Sequence, residues 1–244
     1  DVQIWRTRTV VENVDFEDKF VAELHEYFKK LGSQYVAVRS SAVNEDGEKA
    51  SWAGQLTTEL NVQQDGLEQA IKKCWASAYS QRALTYAFEN GCALSDISIA
   101  VVVQEMAESD VSGVAFSVNP VTNNSQQIVI EAVYGLGEAI VSGAITPDEY
   151  IVDKDSLSII ESVVASQDKK LSLRANKTGW VEVSLNEKTQ QKLSMMQIKE
   201  VAAAVKMIEK KMNYHTDVEW ALKDGRLYIT QSRPITTYDG AILT

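Results

Sequence analysis

Two runs of strand-forming residues, Thr216 to Leu222 and Arg226 to Ser232, flank the dipeptide Asp224-Gly225. Asp-Gly between such runs is a strong short-range hairpin signal, because both positions of a tight turn need positive φ. The two runs therefore pair, and the loop length decides which polar side chains share a face. With a two-residue loop, Asp224-Gly225, Glu219 pairs with Thr230 and Gln231 points to the other side. With a three-residue loop, Lys223 to Gly225, Glu219 pairs with Ile229, and Gln231 and Arg233 lie on the face of Glu219. The second register sets a carboxylate, an amide oxygen and a guanidinium side by side at the open end of two strands. Such a trio suits a Mg²⁺-polyphosphate, because hard oxygens take the metal and Arg neutralises phosphate. An edge hairpin with ordinary surface polarity fits the same residues, and spacing alone does not choose.

The remaining periodicity mixes helices and strands without strict alternation, which predicts an α+β chain rather than a doubly wound sheet. Phe16, Phe20, Leu24, Phe28 and Leu31 fall at helical spacing over Asp15 to Leu31, with Gly32 at the C-terminal cap. A second helix is expected over Gly66 to Gln81 and a third as far as Asn90. Ile97 to Gln104 is nearly all apolar and reads as a strand buried on both faces. Ser112 to Val118 and Gln127 to Val133 read as strands joined by the turn-rich Asn119 to Asn124. Glu149 to Val152, Leu157 to Val164, Leu171 to Leu173 and Trp180 to Val183 suggest a small antiparallel set. Ser184 to Glu187 has capping-box spacing and is expected to open a long helix ending near Met212.

Composition narrows the chemistry. The 244 residues carry 24 Lys and Arg against 34 Asp and Glu, a net charge of -10. That balance argues against wrapping nucleic acid or lying on an anionic membrane, and leaves an anionic ligand to a few local cations. Two cysteines, Cys74 and Cys92, exclude a disulfide framework, and two histidines, His25 and His215, exclude a His-rich metal centre. No apolar run approaches the roughly 18 residues of a bilayer span. No export signal is visible, the first residue is Asp, and a reducing cytoplasm is the expected setting.

Two further stretches carry ligand-binding chemistry. Arg39-Ser40-Ser41 is expected directly after the buried run Tyr35 to Val38, at a strand end, and Arg grips phosphate oxygens bidentately. An Arg paired with one of the many acids fits equally. Gly54, in the small-residue loop Ser51 to Gln55, lets backbone N–H groups approach phosphate. Val103-Gln104-Glu105-Met106 leaves a strand into Met, where a planar base finds backbone groups and an apolar surface. A strand simply reaching solvent fits these residues as well. Gly135-Leu136-Gly137-Glu138 is not a dinucleotide fingerprint, and no Walker A lysine motif is present. Most of Gly113, Gly135, Gly137 and Gly143 are expected in tight turns.

Taken together these segments resemble a known family. Val36 to Ala42 (VAVRSSA), Glu45-Asp46, Ala50 to Gln55 (ASWAGQ), Val101 to Met106 (VVVQEM) and Ser112 to Pro120 (SGVAFSVNP) match it in order. Gly135 to Glu138 with Pro147-Asp148, and Asp217 to Trp220 with Gln231 to Pro234, complete the set. All are similar to the ATP-binding domain of the phosphoenolpyruvate synthase, pyruvate phosphate dikinase and rifampicin phosphotransferase family, over about Gln34 to Ile235. The resemblance implies an ATP-grasp fold with mixed and antiparallel sheets, holding ATP between two lobes with Mg²⁺ on the phosphates. It favours the three-residue loop. It implies phosphate contacts at Arg39, Gly54, Thr58 and Arg233, with Arg39 and Arg233 as the catalytic cations. It also implies an adenine border at Gln104, Glu105 and Met106, and metal ligands at Glu219 and Gln231.

By the same resemblance, residues 1–106 are a partial first lobe, 107–238 a second lobe and 239–244 the start of a linker. The family's glycine-rich segment with its phosphate-binding lysine lies upstream of anything here, so the first lobe is expected to be truncated. The family's phosphoryl-accepting histidine sits on a separate swivelling domain, and neither His25 nor His215 has its setting. The implied partners are ATP and that phosphohistidine domain, with the isolated chain inactive. A non-catalytic nucleotide-binding or regulatory module, and the ATP domain of an antibiotic phosphotransferase, are the alternatives.

Overall fold

The computed structural model describes residues 2–42, 46–47, 50–51, 56–91, 97–174 and 177–235. They form two compact units, Asp1–Met106 and Ala107–Thr244.

In the first unit, helices α1 (Val2–Glu12) and α2 (Asp18–Leu31) precede strand β1 (Val36–Ala42). The two-residue strands β2 (Asp46–Gly47) and β3 (Ala50–Ser51) pair with each other. Strand β4 (Thr58–Val62), helices α3 (Leu67–Ser77) and α4 (Gln81–Glu89), and strand β5 (Ile99–Glu105) follow. The main sheet has the order β4-β1-β5, antiparallel throughout. Val36 and Val38 bury completely against Phe28, Leu67, Ile71 and Cys74. The helix ends follow from sequence: Gly32 takes φ 68° and its N–H closes on Lys29, while the Ser80 hydroxyl accepts from Ala83 N–H to cap α4.

Arg39 to Ser41 do not follow β1 but lie within it, because pairing with β5 continues as far as Ala42. Nor is β5 buried on both faces. It is the edge strand of three, packing Val101 and Val103 into the core beneath α3, while Val102 on the opposite face is 47% exposed.

The second unit is built on a six-stranded antiparallel sheet. Its strands are β6 (Val111–Phe116), β7 (Gln127–Tyr134), β8 (Asp148–Asp153), β9 (Ile159–Val163), β12 (Thr216–Lys223) and β13 (Arg226–Pro234). Their spatial order is β13-β12-β6-β7-β8-β9. The short helix α5 (Glu138–Val141) follows β7, and β10 (Lys169–Arg174) pairs with β11 (Lys177–Glu182) as a separate hairpin. The expected small antiparallel set is therefore split, with β8 and β9 in the main sheet. Helix α6 (Met195–Met212) covers one sheet face. Ile198, Val201, Ala202 and Val205 pack there against Ile128, Ile130, Tyr150, Val218 and Trp220. The chain is thus mixed α/β with antiparallel sheets and packed helices.

Helix α6 starts some ten residues later than its expected opening at Ser184. Its capping box is Ser194 with Gln197, and Ser184 to Glu187 only closes a turn. Burial decides this: Lys192 and Leu193 are 5% and 1% exposed, sit in a bend, and give their N–H groups to Asp148 and the Tyr150 hydroxyl rather than to a helix.

Gly113 sits inside β6, not in a turn, opposite Trp220 and Ala132. A Cβ there would lie 1.8 Å from the Glu131 carbonyl oxygen and 2.6 Å from the Trp220 ring. The strand spacing is fixed by the ladder, so the clash has no cheap relief. Gly113→Ala is expected to cost about 3 kcal/mol, the upper end of overpacking penalties, read from urea unfolding followed by Trp fluorescence.

Candidate functional site

The hairpin of β12 and β13 turns through Asp224 and Gly225, at φ 51° and 76°. Lys223 pairs with Arg226 and Trp220 with Ile229, so the loop has two residues. The three-residue loop is therefore wrong, and so is the pairing of Glu219 with Ile229 that it required. The pairing with Thr230 expected from an uninterrupted two-residue hairpin is also absent. The register shifts between Glu219 and Trp220, and Thr230 becomes the extra residue of a β-bulge. Glu219 then stands directly opposite Gln231, and Asp217 opposite Arg233. The bulge brings the carboxylate, amide and guanidinium onto one face. Asp110 fixes the turn, its carboxylate accepting from Lys223 Nζ and the Asp224 N–H at 3.2 and 3.0 Å.

That face is the one turned away from α6. Register carries it across the sheet as one row, Gln231, Glu219, Val114, Glu131 and Glu149. Beside it, Arg233 directs Nε and Nη2 at one oxygen of Asp217, at 2.8 and 2.7 Å. The other oxygen, Oδ1, is buried and has no hydrogen-bond partner among the described residues. Burial pushes the Asp217 carboxyl above the usual range, Arg233 opposes this, and Glu219 adds to it. Glu131 is pushed up by burial, then by the charges of Glu149 and Asp217. Sequence reading missed Asp217, Glu131 and Glu149 as members of this face. Alternation along β12 from Glu219 could have placed Asp217, whereas Glu131 and Glu149 join only through the strand register.

A carboxylate raised in the folded state contributes stability when protonated and loses it as pH rises through its folded pKa. Glu131→Gln removes that penalty. The variant is expected to melt higher than wild type at pH 8, with the difference closing as pH falls below the ordinary carboxylate range. A thermal melt series checks this.

The glycine turn after β7 folds over the same face. The Gly135 carbonyl accepts from Ser109 and Ser112 hydroxyls at 2.8 and 2.6 Å, and Ser112 pairs with Ala221 and Val133 of the site face. Gly135 takes φ 86°, and a Cβ there would meet the Leu171 carbonyl at 2.3 Å.

In the first unit, Arg39 faces Thr58 across one ladder and Val102 across the other. Gln104 pairs with Ala37, so alternation places Arg39, Thr58 and Gln104 together on the sheet face opposite α3. Ser40 turns the other way, donating to the Thr57 carbonyl at 2.9 Å. The Met106 N–H bonds the Tyr35 carbonyl, so the Glu105 amide and carbonyl point to the open edge of β5. It is the backbone of Glu105, not its side chain, that shares an edge with Gln104 and Met106. Gly54 lies outside the described residues. His25 lies within α2, and the His215 ring contacts Glu209 Oε1 at 2.6 Å, an oxygen it shares with Lys154.

No group of three or more His, Cys, Asp and Glu among the described residues is arranged to hold a metal by itself. A two-ligand site completed by phosphate oxygens does not require one, and Mg²⁺ is commonly bound that way. The oxygen donors Glu219 and Gln231, beside an orphaned buried carboxylate oxygen, suit a hard cation.

Comparison with known proteins gives this geometry a family. The model of the pyruvate phosphate dikinase AMP/ATP-binding domain matches residues 4–242. The chain is 41% identical, over 94% of its length, to a phosphoenolpyruvate synthase of Pyrococcus furiosus, of which it covers 30%. It is 40% identical, over 94% of its length, to a rifampicin phosphotransferase of Bacillus cereus, covering 27% of that protein. An uncharacterized phosphotransferase of Bacillus subtilis is 38% identical over 92% of the chain, which covers 27% of it. The chain thus spans under a third of the length of these curated relatives. The match over residues 4–242 shows that the chain belongs to the family of pyruvate phosphate dikinase AMP/ATP-binding domains.

Proposed function

We propose that this chain is the ATP-binding domain, of ATP-grasp type, of a dikinase-like phosphotransferase that splits Mg-ATP and phosphorylates a histidine on a separate domain. The observation that carries the reading is the pairing of Glu219 with Gln231 and of Asp217 with Arg233 on one sheet face. Glu219 and Gln231 would hold Mg²⁺, which when bound neutralises phosphate charge. Asp217 holds Arg233 through Nε and Nη2, and in this reading the guanidinium so held meets the phosphates. Arg39 and Thr58, side by side on their own sheet, take phosphate oxygens, and Gly54 contributes backbone N–H groups. The open edge at Glu105, flanked by Gln104 and Met106, takes the adenine. Phosphoryl transfer asks little covalent chemistry of the protein, so these residues act by positioning and by neutralising charge.

Residues 1–106 and 107–238 are read as the two lobes, with 239–244 as linker, in a cytoplasmic protein. No helix among the described residues is long and apolar enough to cross a membrane. A phosphoenolpyruvate synthase and a rifampicin phosphotransferase match this chain almost equally, so the reading names no final acceptor. The test is γ- and β-labelled ATP incubated with the full-length parent and, separately, with this chain plus the parent's histidine domain. Label on a histidine of that domain, dependent on Mg²⁺, supports the reading. Nucleotide binding without label transfer in the full-length parent would assign a regulatory module instead.

A further inference from the structure

The hairpin of β10 and β11 stands outside the six-stranded sheet, and its two faces differ. Pairing runs from Lys169 opposite Glu182 to Arg174 opposite Lys177. Alternation therefore puts Lys169, Leu171, Leu173 and Trp180 on one face, with Lys169 Nζ 4.4 Å from the Trp180 ring centre. The other face carries Lys170, Arg174 and Lys177 with Ser172, Gly179 and Val181, and no carboxylate of the hairpin.

Arg174 and Lys177 are directly opposed, and like charges so placed destabilise a strand pair. Both are exposed, and among the described residues neither they nor Lys170 enters an ion pair. The Lys170 charge reaches Asp110, but that carboxylate accepts its bonds from Lys223 and Asp224. Three cations of one sign stand on one face of a chain whose net charge is -10. The face is held in place, because the Leu136 N–H donates to the Leu171 carbonyl at 2.9 Å. Local conflicts of this kind are kept where function uses them.

We propose that this face docks a short acidic segment of a protein partner. Charge complementarity selects the partner's sign. The limited footprint, three cations on a hairpin of two six-residue strands, matches a few carboxylates. It does not match a nucleic acid, whose continuous phosphates would also meet the net negative charge of the rest of the chain. So small a surface fits a transient, electrostatically steered contact. The inference is independent of the nucleotide site.

The test is fluorescence anisotropy with a labelled hexaglutamate peptide and the wild-type chain at low salt. Saturable binding is expected, weakened about 10-fold or more when ionic strength is raised well above 0.1 M. Lys170→Gln, Arg174→Gln and Lys177→Gln together should weaken it at least as much, while Lys210→Gln with Lys211→Gln in α6 should not. Lys177→Glu separates docking from stability. It turns the repulsive cross-strand pair into an attractive one, so Tm should hold or rise while peptide affinity falls. Undetectable binding by wild type, equal binding by the triple variant, or tighter binding of a dodecathymidylate than of the peptide would each overturn the proposal.

Discussion

Lys192→Met should cost the second unit about 3–5 kcal/mol, enough to remove much of the stability of an ordinary domain. The Lys192 ammonium and the Asp148 carboxylate are both fully buried and 2.7 Å apart. Asp148 is otherwise saturated, accepting from the Ala165 and Lys192 N–H groups at 2.9 Å and from the Tyr150 hydroxyl at 2.7 Å. Lys192 Nζ also donates to the Ala165 carbonyl. Burial and then the bond to Asp148 hold the Tyr150 hydroxyl protonated, with its pKa pushed far up. Met has nearly the volume of Lys but leaves an uncompensated buried charge, and that charge sets the cost. The double variant Lys192→Met with Asp148→Asn should recover much of the loss, because the remaining groups are neutral. A Tm deficit as large in the double variant as in the single would show that packing, not charge, dominates. Chemical unfolding of the three proteins makes the comparison.

Asp217→Ala should show the opposite pattern, with stability kept and function lost. The carboxyl is raised by burial and by Glu219, so it holds the fold less firmly than its ion pair suggests. Its removal frees Arg233 to take other rotamers. Losing one oriented donor to phosphate charge typically costs about 10²-fold in rate. Phosphotransfer in the full-length parent should fall by that order while Tm moves little. Arg233→Lys alone should lose transfer to a similar degree, since an ammonium cannot bond Asp217 through two nitrogens and also present a planar fork. Unchanged transfer in Asp217→Ala would remove this residue from the positioning of Arg233.

Much of this was legible in the residues. The hydrophobic stripes of α2 and α6, the Asp224-Gly225 turn and the buried core of β1 follow from local pattern, because each satisfies its own periodicity. The failures came from tertiary constraints. Nothing local distinguishes the Ser184 box from the Ser194 box. Burial of Lys192 against Asp148, 44 residues away, decides between them. The apolar run of β5 reads as doubly buried because sequence does not state that it is an edge strand. The hairpin is the most instructive case. Two-residue and three-residue loops were the natural alternatives, and the molecule uses a two-residue loop with a bulge at Thr230. Turn chemistry fixed the register near the tip, but a bulge leaves no mark on residue type. The acids of β7 and β8 joined the site face only through pairing across four strands.

The most direct measurement is calorimetric titration of Mg-ATP into this chain, as wild type and as Glu219→Ala, with a Mg²⁺-free titration of each. The expected result is Mg²⁺-dependent heat in wild type that Glu219→Ala abolishes or weakens at least 10-fold, with thermal stability unchanged. Equal affinity in the two proteins, or wild-type binding indifferent to Mg²⁺, would contradict a metal-phosphate site on the face where Glu219 meets Gln231.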